Sequence, residues 1–494
     1  MFDDYRPSQF ATWTQQVVHH LKRPADEVAL VEATPAGVTT WSRGQFAELI
    51  SGVTDLLDEH CVPAGAMVPA LLATRPASVA ALVAGALSDR PLAPFAARMT
   101  EMELVRVLER IPGDVLLVEE DSLALGEALG TRLGKRPVVL DPTRTGTGEL
   151  AAHGDPERVA FVMHTSGTTG VPKQVRVRDG RLARRADVNG YLLNLTPRDR
   201  LVTTSLFHHV AAIGNIAVGL GAGAAIVVFP RFSVDAWREL EVAAPTACVT
   251  IPSVFEMLLD ADALTSTSLR VLGYGASPIH PETMRRIQEV MPGVDFVNLF
   301  GQTEGSPVSV LTPADHRRAL AGHRELLRSV GRASPGAELR INEPDELGVG
   351  EVWMRAPHSF VVDDEGWQHT GDLGRLDGEG YLYLAGRRGD KIIRGGENVY
   401  PLEVEQTLEQ HPGVRSACVV GVPDRRLGET VMAYLIAATD EHPDPEELRR
   451  FARERLAGFK VPVAWEYVMD FPRNVNGKVL RPVLAARAAE QLAT

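Results

Sequence analysis

Thr165-Ser166-Gly167-Thr168-Thr169-Gly170-Val171-Pro172-Lys173, directly after the apolar run Val159 to Met163, is the stretch on which the reading of this chain turns. Two glycines let a backbone turn tightly and bring its N–H groups toward an anion. Four hydroxyls add donors, and Lys173 adds a positive charge. The segment therefore reads as a phosphate loop entered from a strand. A Ser/Thr/Gly surface turn is the alternative. The spacing lacks the Gly-Lys-Ser/Thr ending of an ordinary nucleotide-triphosphatase loop, which argues against that class.

On either side of this loop, short apolar runs alternate with longer periodic segments. Before it come Val28 to Val31, a helix from about Ser42, Met67 to Leu72, a helix through Ala77 to Leu87, Val115 to Val118 and Pro137 to Leu140. After it come Leu201 to Thr204, Ala225 to Phe229, Ala247 to Ile251, Val271 to Leu272 and Phe296 to Leu299, with helical patterns at Ser233 to Ala243 and Pro281 to Met291. Such alternation predicts βαβ units, hence parallel sheets covered by helices. Beyond about Val330 the texture changes to short alternating runs broken by Gly and Pro, which predicts a small antiparallel barrel or sheet over about 330–386. The charged junction Gly386 to Asp390 then precedes a final segment with its own strands, Ser416 to Val420 and Val431 to Ala437.

At 494 residues the chain exceeds one ordinary core. Its 45% hydrophobic and 23% charged residues are those of a globular protein. A net charge of −13 disfavours binding to nucleic acid or to an anionic membrane, so an anionic ligand needs a local site. Cys61, Cys248 and Cys418 lie far apart and show no metal spacing, which fits a reducing compartment; cytoplasm is the expected location. Val210 to Pro230 carries no charge, yet Gly219, Gly221 and Gly223 divide it into a helix-like and a strand-like piece. No membrane insertion is expected.

Three further segments join the loop: Asn298-Leu299-Phe300-Gly301-Gln302-Thr303-Glu304, Trp367-Gln368-His369-Thr370-Gly371-Asp372, and Gly386 to Pro401 with its Gly395-Gly396-Glu397-Asn398 core. Asn476-Gly477-Lys478 follows near the end. In order and separation the set resembles the adenylate-forming superfamily of acyl-CoA synthetases and CoA ligases, over essentially the whole chain.

The resemblance implies an α/β fold with a large N-terminal domain, 1–386, including the barrel-like part at about 330–386. A hinge at 387–390 and a small mobile α+β C-terminal domain, 391–494, would follow. It implies an acid–thiol ligase in which a carboxylate attacks the α-phosphate of ATP and a thiol then opens the acyl adenylate. Thr165, Ser166, Gly167, Thr168, Thr169 and Lys173 would hold the β- and γ-phosphates, Thr303 the α-phosphate, and Glu304 Mg²⁺. Asp372 would accept the ribose hydroxyls. Phe300 and Leu384 would sandwich adenine, Asn298 would read its amine, and Gly275-Ala276-Ser277 would form the adjacent wall. Arg387 would meet ribose and phosphate, and Lys478 would bridge carboxylate and α-phosphate. Gly395 and Gly396 would let the pantetheine of CoA pass.

Ser205-Leu206-Phe207-His208-His209 falls where amino-acid-activating relatives keep an aspartate for the substrate ammonium. His208 in that place implies an acid without an α-amine, since a buried uncompensated ammonium is costly. The small residues Ala211, Ala212, Gly214 and Ala217 suggest a roomy apolar pocket for a bulky hydrophobic acid. Two departures from the family pattern stand out: Gln174 where glycine is usual, and only Arg355 to Glu365 joining two motifs usually further apart. They keep a second reading open, in which a preformed acyl-AMP is converted to acyl-CoA without adenylation. A noncatalytic nucleotide-binding protein is a third. Free CoA is the expected thiol, with carrier-bound phosphopantetheine as the alternative.

Overall fold

The structure, a computed structural model, describes residues 2–165, 173–264, 268–277, 279, 281–473 and 479–492; of Thr165 it describes the backbone. The chain forms two compact units, Met1–Glu338 with Met354–Gln368, and Leu339–Trp353 with His369–Thr494.

The first unit holds two sheets. The smaller is ordered Arg136–Val139, Val115–Val118, Val68–Leu71, Leu92–Phe95, Val159–Thr165, Lys173–Arg178. Its pairings are parallel apart from the last, where Thr165 lies opposite Lys173 in an antiparallel hairpin. The strand after Lys173 was not read from the sequence. Its signal is an alternation: Val175 and Val177 are buried while Lys173, Arg176 and Arg178 face outward.

The larger sheet is ordered Arg332–Ala333, Gly305–Leu311, Asp295–Gln302, Val271–Tyr274, Ala247–Thr250, Arg200–Thr203, Ala225–Val228, Val28–Thr34, Gly37–Ser42. Its central pairings are parallel and its edges antiparallel. One core draws on both sheets, with Phe161 and Met163 from one and Leu30, Ile226 and Val228 from the other. Helices share that core, and Pro76–Leu87 is apolar on almost every side because it is covered on every side. Helix Val210–Ala222 ends at the left-handed Gly223, and strand Ala225–Val228 follows. Thus the uncharged Val210 to Pro230 run is two buried elements, and no described helix is long and apolar enough to cross a membrane.

The second unit contains the sheet Glu338–Asn342, Gly350–Arg355, Gln368–Leu376, Leu382–Arg387 and a five-stranded sheet built on the long hairpin Val414–Asp424 with Gly428–Ala437. The 387–390 segment, read from the sequence as a hinge, lies within the second compact unit. The physical reason is local: Tyr400 packs with Val349 and Leu373, and its hydroxyl donates to Asp345 at 2.6 Å.

The first helix, Trp13–Leu21, is tied to the segment that follows the Lys173–Arg178 strand. Asp179 is fully buried, and it accepts from the Thr14 hydroxyl at 2.6 Å and the Thr14 N–H at 3.2 Å, with His153 Nε2 3.2 Å away. Thr14→Val removes the shortest donor of a buried carboxylate. We expect it to lower the free energy of urea unfolding by about 1–3 kcal/mol; an unchanged midpoint would show that the contact carries no stability.

Candidate functional site

The strands Asp295–Gln302 and Gly305–Leu311 pair so that Gln302 faces Gly305, leaving Thr303 and Glu304 as a two-residue tip. Asn298, Phe300, Thr303 and Glu304 thus come from one hairpin. Asn298 is buried, and its side chain hydrogen-bonds the buried Tyr274, whose hydroxyl lies 2.9 Å from His316 Nε2. Phe300, Thr303 and Glu304 are half-buried. Gly275 abuts this hairpin: a Cβ there would stand 2.6 Å from the Leu299 carbonyl oxygen, so glycine is required for the approach. Ala276 and Ser277 beside it are exposed.

The short segment Arg355 to Glu365 has a definite place. Phe360 and Val361 donate their N–H groups to the Glu304 carbonyl at 2.7 and 3.2 Å, and Ser359 bridges Gly305. His358 Nε2 donates to the Pro307 carbonyl at 2.9 Å, and Arg181 donates to the carbonyl of Ser359. The shortened connection is thus laid against the tip that carries Thr303 and Glu304. Among the described residues, no group of three or more His, Cys, Asp or Glu gathers to hold a metal.

Of the anion loop, Lys173 is described and exposed, directly across from Thr165; Ser166, Gly167, Thr168 and Thr169 lie outside the described residues, as does Lys478.

In the second unit Asp372 and Arg387 are register partners on adjacent strands, and Arg387 Nε reaches Asp372 Oδ1 at 2.7 Å. The carboxylate is buried and the guanidinium half-exposed. Arg387 also donates to the Thr370 carbonyl at 3.2 Å. Leu384, opposite Gly374, is half-buried. Gly395 and Gly396, with φ of 62° and 91°, form the two-residue turn between Ile392–Arg394 and Glu397–Val399. A turn with both central φ angles positive calls for glycine.

His208 is half-buried and its ring lies 4.1 Å, centroid to centroid, from that of His209, just before helix Val210–Ala222. Burial, with Arg98 adding to it, pulls the His209 pKa down to about 4; burial alone does the same to His164, whose ring packs on Phe95. The small residues of this helix serve close packing as well. The Ala217 carbonyl accepts from Trp13 Nε1 at 2.8 Å, and a Cβ at Gly214 would fall on the Arg185 guanidinium. The apolar space expected at Gly214 is therefore occupied by a cation. Arg185 was not singled out from the sequence, because one arginine in the run Arg181 to Arg185 carries no mark of burial.

The family model described as AMP-binding enzyme matches residues 17–361, and the one described as AMP-binding enzyme C-terminal domain matches residues 403–478. An indoleacetate–CoA ligase from Aromatoleum aromaticum is 33% identical over 89% of this chain and 91% of its own. A fatty acid–[acyl-carrier-protein] ligase from Streptomyces coeruleorubidus is 31% identical over 81% and 83%. The solved structure of an amide bond synthetase from Marinactinospora thermotolerans superposes with a TM-score of 0.84 at 28% identity, covering 96% of this chain and 99% of that one.

His164, His209 and His358 each have a pKa near 4 against an ordinary 6.5, chiefly through burial. The unfolded chain therefore binds more protons below pH 6.5, so stability is full above that pH and falls as pH drops toward 4. For each such histidine the loss at pH 5 is roughly 2 kcal/mol at most. Urea unfolding at pH 7.5 and pH 5 checks this, and His358→Gln should flatten the slope; equal stability at both pH values contradicts it.

Proposed function

Because the chain belongs to the family of AMP-binding enzymes and is an acid–thiol ligase, we propose that it activates a hydrophobic, bulky carboxylic acid without an α-amine as its acyl-AMP and passes the acyl group to CoA. The observation that carries this reading is the Asp295–Gln302 and Gly305–Leu311 hairpin, which supplies Asn298, Phe300, Thr303 and Glu304 from one rigid element. In the first half-reaction a carboxylate oxygen attacks the α-phosphorus of ATP and pyrophosphate leaves. Positioning and charge neutralisation supply the rate, since no protein nucleophile is required.

Thr165 to Thr169 and Lys173 would grip the β- and γ-phosphates, and Thr303 would touch the α-phosphate. Glu304, a single carboxylate, suits Mg²⁺, which is typically held by one or two carboxylates together with substrate phosphates. Phe300 and Leu384 would flank adenine beside Gly275, Ala276 and Ser277, and Asn298 would meet its amine. Asp372, already oriented by Arg387, would accept from the ribose. Lys478 would neutralise charge between the carboxylate and the α-phosphate. Gly389 would serve as a hinge within 387–390, and the open turn at Gly395 and Gly396 would admit the pantetheine thiol. That thiol attacks the acyl carbonyl and AMP leaves. His208 would line the acyl pocket. The bulky aromatic acid named for the Aromatoleum relative supports that substrate class, and CoA is its thiol; the Streptomyces relative uses a carrier protein. A cytoplasmic location fits this chemistry.

One observation favours a second reading, in which only the thioester half-reaction survives. The shortened 355–365 segment is hydrogen-bonded to the Glu304 backbone, so it borders the residue assigned to the metal.

Two reaction mixtures separate these readings: acid with ATP, Mg²⁺ and CoA, and preformed acyl-AMP with CoA. Thioester from both supports the full ligase; thioester from the adenylate alone selects the second reading. In the full ligase, Lys478→Ala should depress ATP–pyrophosphate exchange at least 100-fold more than thioester formation from adenylate, in line with the worth of a transition-state charge contact of about 3 kcal/mol. An equal loss in both assays rejects its role. Asp372→Ala should raise the KM for ATP about tenfold or more, the loss of one or two charged hydrogen bonds at roughly 1.5 kcal/mol each.

A further inference from the structure

Arg185, on helix Asp179–Leu192, is 5% exposed. Among the described residues it makes no salt bridge, and its Nε and Nη1 are buried without a hydrogen-bond partner. A buried cation without an anion is among the most unfavourable arrangements in a protein interior, and it persists where something else supplies the missing partner. Its surroundings repeat the deficiency. The ring of Phe360 lies 5.8 Å from the guanidinium carbon. On the residues just before Phe360, His358 Nδ1 and Ser359 Oγ are also buried and unpartnered, and His358 is close enough to feel the Arg185 charge. Gln368, whose amide oxygen and nitrogen are both buried and unpartnered, packs on Gly305, which bridges Ser359. Four side chains thus converge with unmet hydrogen-bonding capacity. Bound water could satisfy individual atoms, but it would leave the cation uncompensated.

The guanidinium rests against Gly214 of helix Val210–Ala222, and Ala211 lies one turn earlier on the same face. His208, the residue assigned to the acyl pocket, precedes that helix. At 1.5 Å per residue, Gly214 lies roughly 6 Å along the helix from its first residue, Val210, two positions after His208. We propose that Arg185, with Ser359, forms a subsite for an oxygen acceptor at the far end of the substrate acid, a second carboxylate in its strongest form or a keto or phenolic oxygen in its weaker ones. This rests on the acyl-activating function proposed above and narrows it: the acid has a hydrophobic body and a polar distal end. The planar, five-donor guanidinium suits a carboxylate bidentately, and Ser359 Oγ can donate a further bond; His358 Nδ1, an acceptor because Nε2 donates to Pro307, suits the hydroxyl proton of a phenol or a protonated acid. Phe360 covers the cation from the side, holding it in a dry environment where an acceptor is bound strongly.

The test uses matched acids with and without the distal group: hexanoic to decanoic acids against hexanedioic to decanedioic acids, and 3-phenylpropanoic acid against its 4-carboxy and 4-hydroxy derivatives. Binding is measured by calorimetry without ATP, and activation by ATP–pyrophosphate exchange. In wild type the acceptor-bearing member of at least one pair should bind tenfold or more tightly than its plain counterpart. Arg185→Met should bring that ratio to about one while leaving the plain acid within about threefold. The ligand-free variant should melt at or above the wild-type temperature, because an uncompensated buried charge has been removed. A wild type that prefers the plain acid in every pair overturns the proposal. So does an Arg185→Met variant that weakens both members equally and melts lower, since the arginine would then be a packing element. Discrimination in binding with no exchange for any acid leaves the subsite standing and rejects the adenylating function. Exchange with plain acids, indifferent to Arg185, does the reverse.

Discussion

Two backbone N–H groups, from Phe360 and Val361, converge on the carbonyl of Glu304, and the geometry of the first unit's site depends on that convergence. A two-residue hairpin tip has few contacts of its own, and its orientation is set by whatever satisfies its backbone. Here the Arg355 to Glu365 segment does so, bridging at Ser359 and anchored in turn by His358 on Pro307 and by Arg181 from the helix that follows the Lys173–Arg178 strand. The hairpin bearing Thr303 and Glu304 and the element downstream of the anion loop are thereby joined through one short connection. A longer connection would have more freedom to choose its partners; this one takes its place directly on the tip.

The same economy of space governs the helices that share a core with both sheets. Helix Val210–Ala222 approaches helix Trp13–Leu21 closely enough for a Trp13 indole to bond the Ala217 backbone, and Gly221 meets both Trp13 and Ala186. Small side chains permit this, as they do wherever helix axes come near. Asp179 anchors the opposite end of the arrangement through Thr14. A uniform apolar layer would be the default filling for such a space. The presence of Arg185 inside it, with Phe360 at 5.8 Å and no anion among the described residues, is the point where packing alone ceases to account for the residue chosen.

Much of this was legible in the sequence. The strand Val115–Val118 coincides with its apolar run, and the alternation of runs from Val28 onward gave the parallel interior of both sheets because a strand buried on both faces has to be apolar throughout. The edges were harder. Lys173–Arg178 and Gly37–Ser42 are edge strands that pair antiparallel, and an edge strand half in water lacks the continuous apolar run of a central one. The candidate residues Asn298 to Glu304 could be placed together because they are contiguous and turn once. Arg185 could not, since burial of one arginine among several is decided by Gly214 and Phe360, far away in the chain. The contact of Tyr400 with Asp345, which joins segments on either side of 387–390 in one compact unit, likewise has no local signature.

One ion pair of the second unit reaches the segment read from the sequence as its hinge. Arg481 holds Glu405 through two bonds, at 2.5 and 2.9 Å, and Glu405 is buried while also accepting the Val419 N–H at 2.7 Å. Such a bidentate, charge-assisted pair is among the stronger polar contacts available to a small domain, and its strength grows as water is excluded. Arg481 opens helix Arg481–Leu492, three positions after Lys478, and its Nε also lies 3.5 Å from Asp390, next to Gly389. One guanidinium therefore fixes the chain just beyond the lysine assigned to the reaction and touches the segment assigned to the hinge. Arg481 thus links the 387–390 segment, through Asp390, to the start of the final helix.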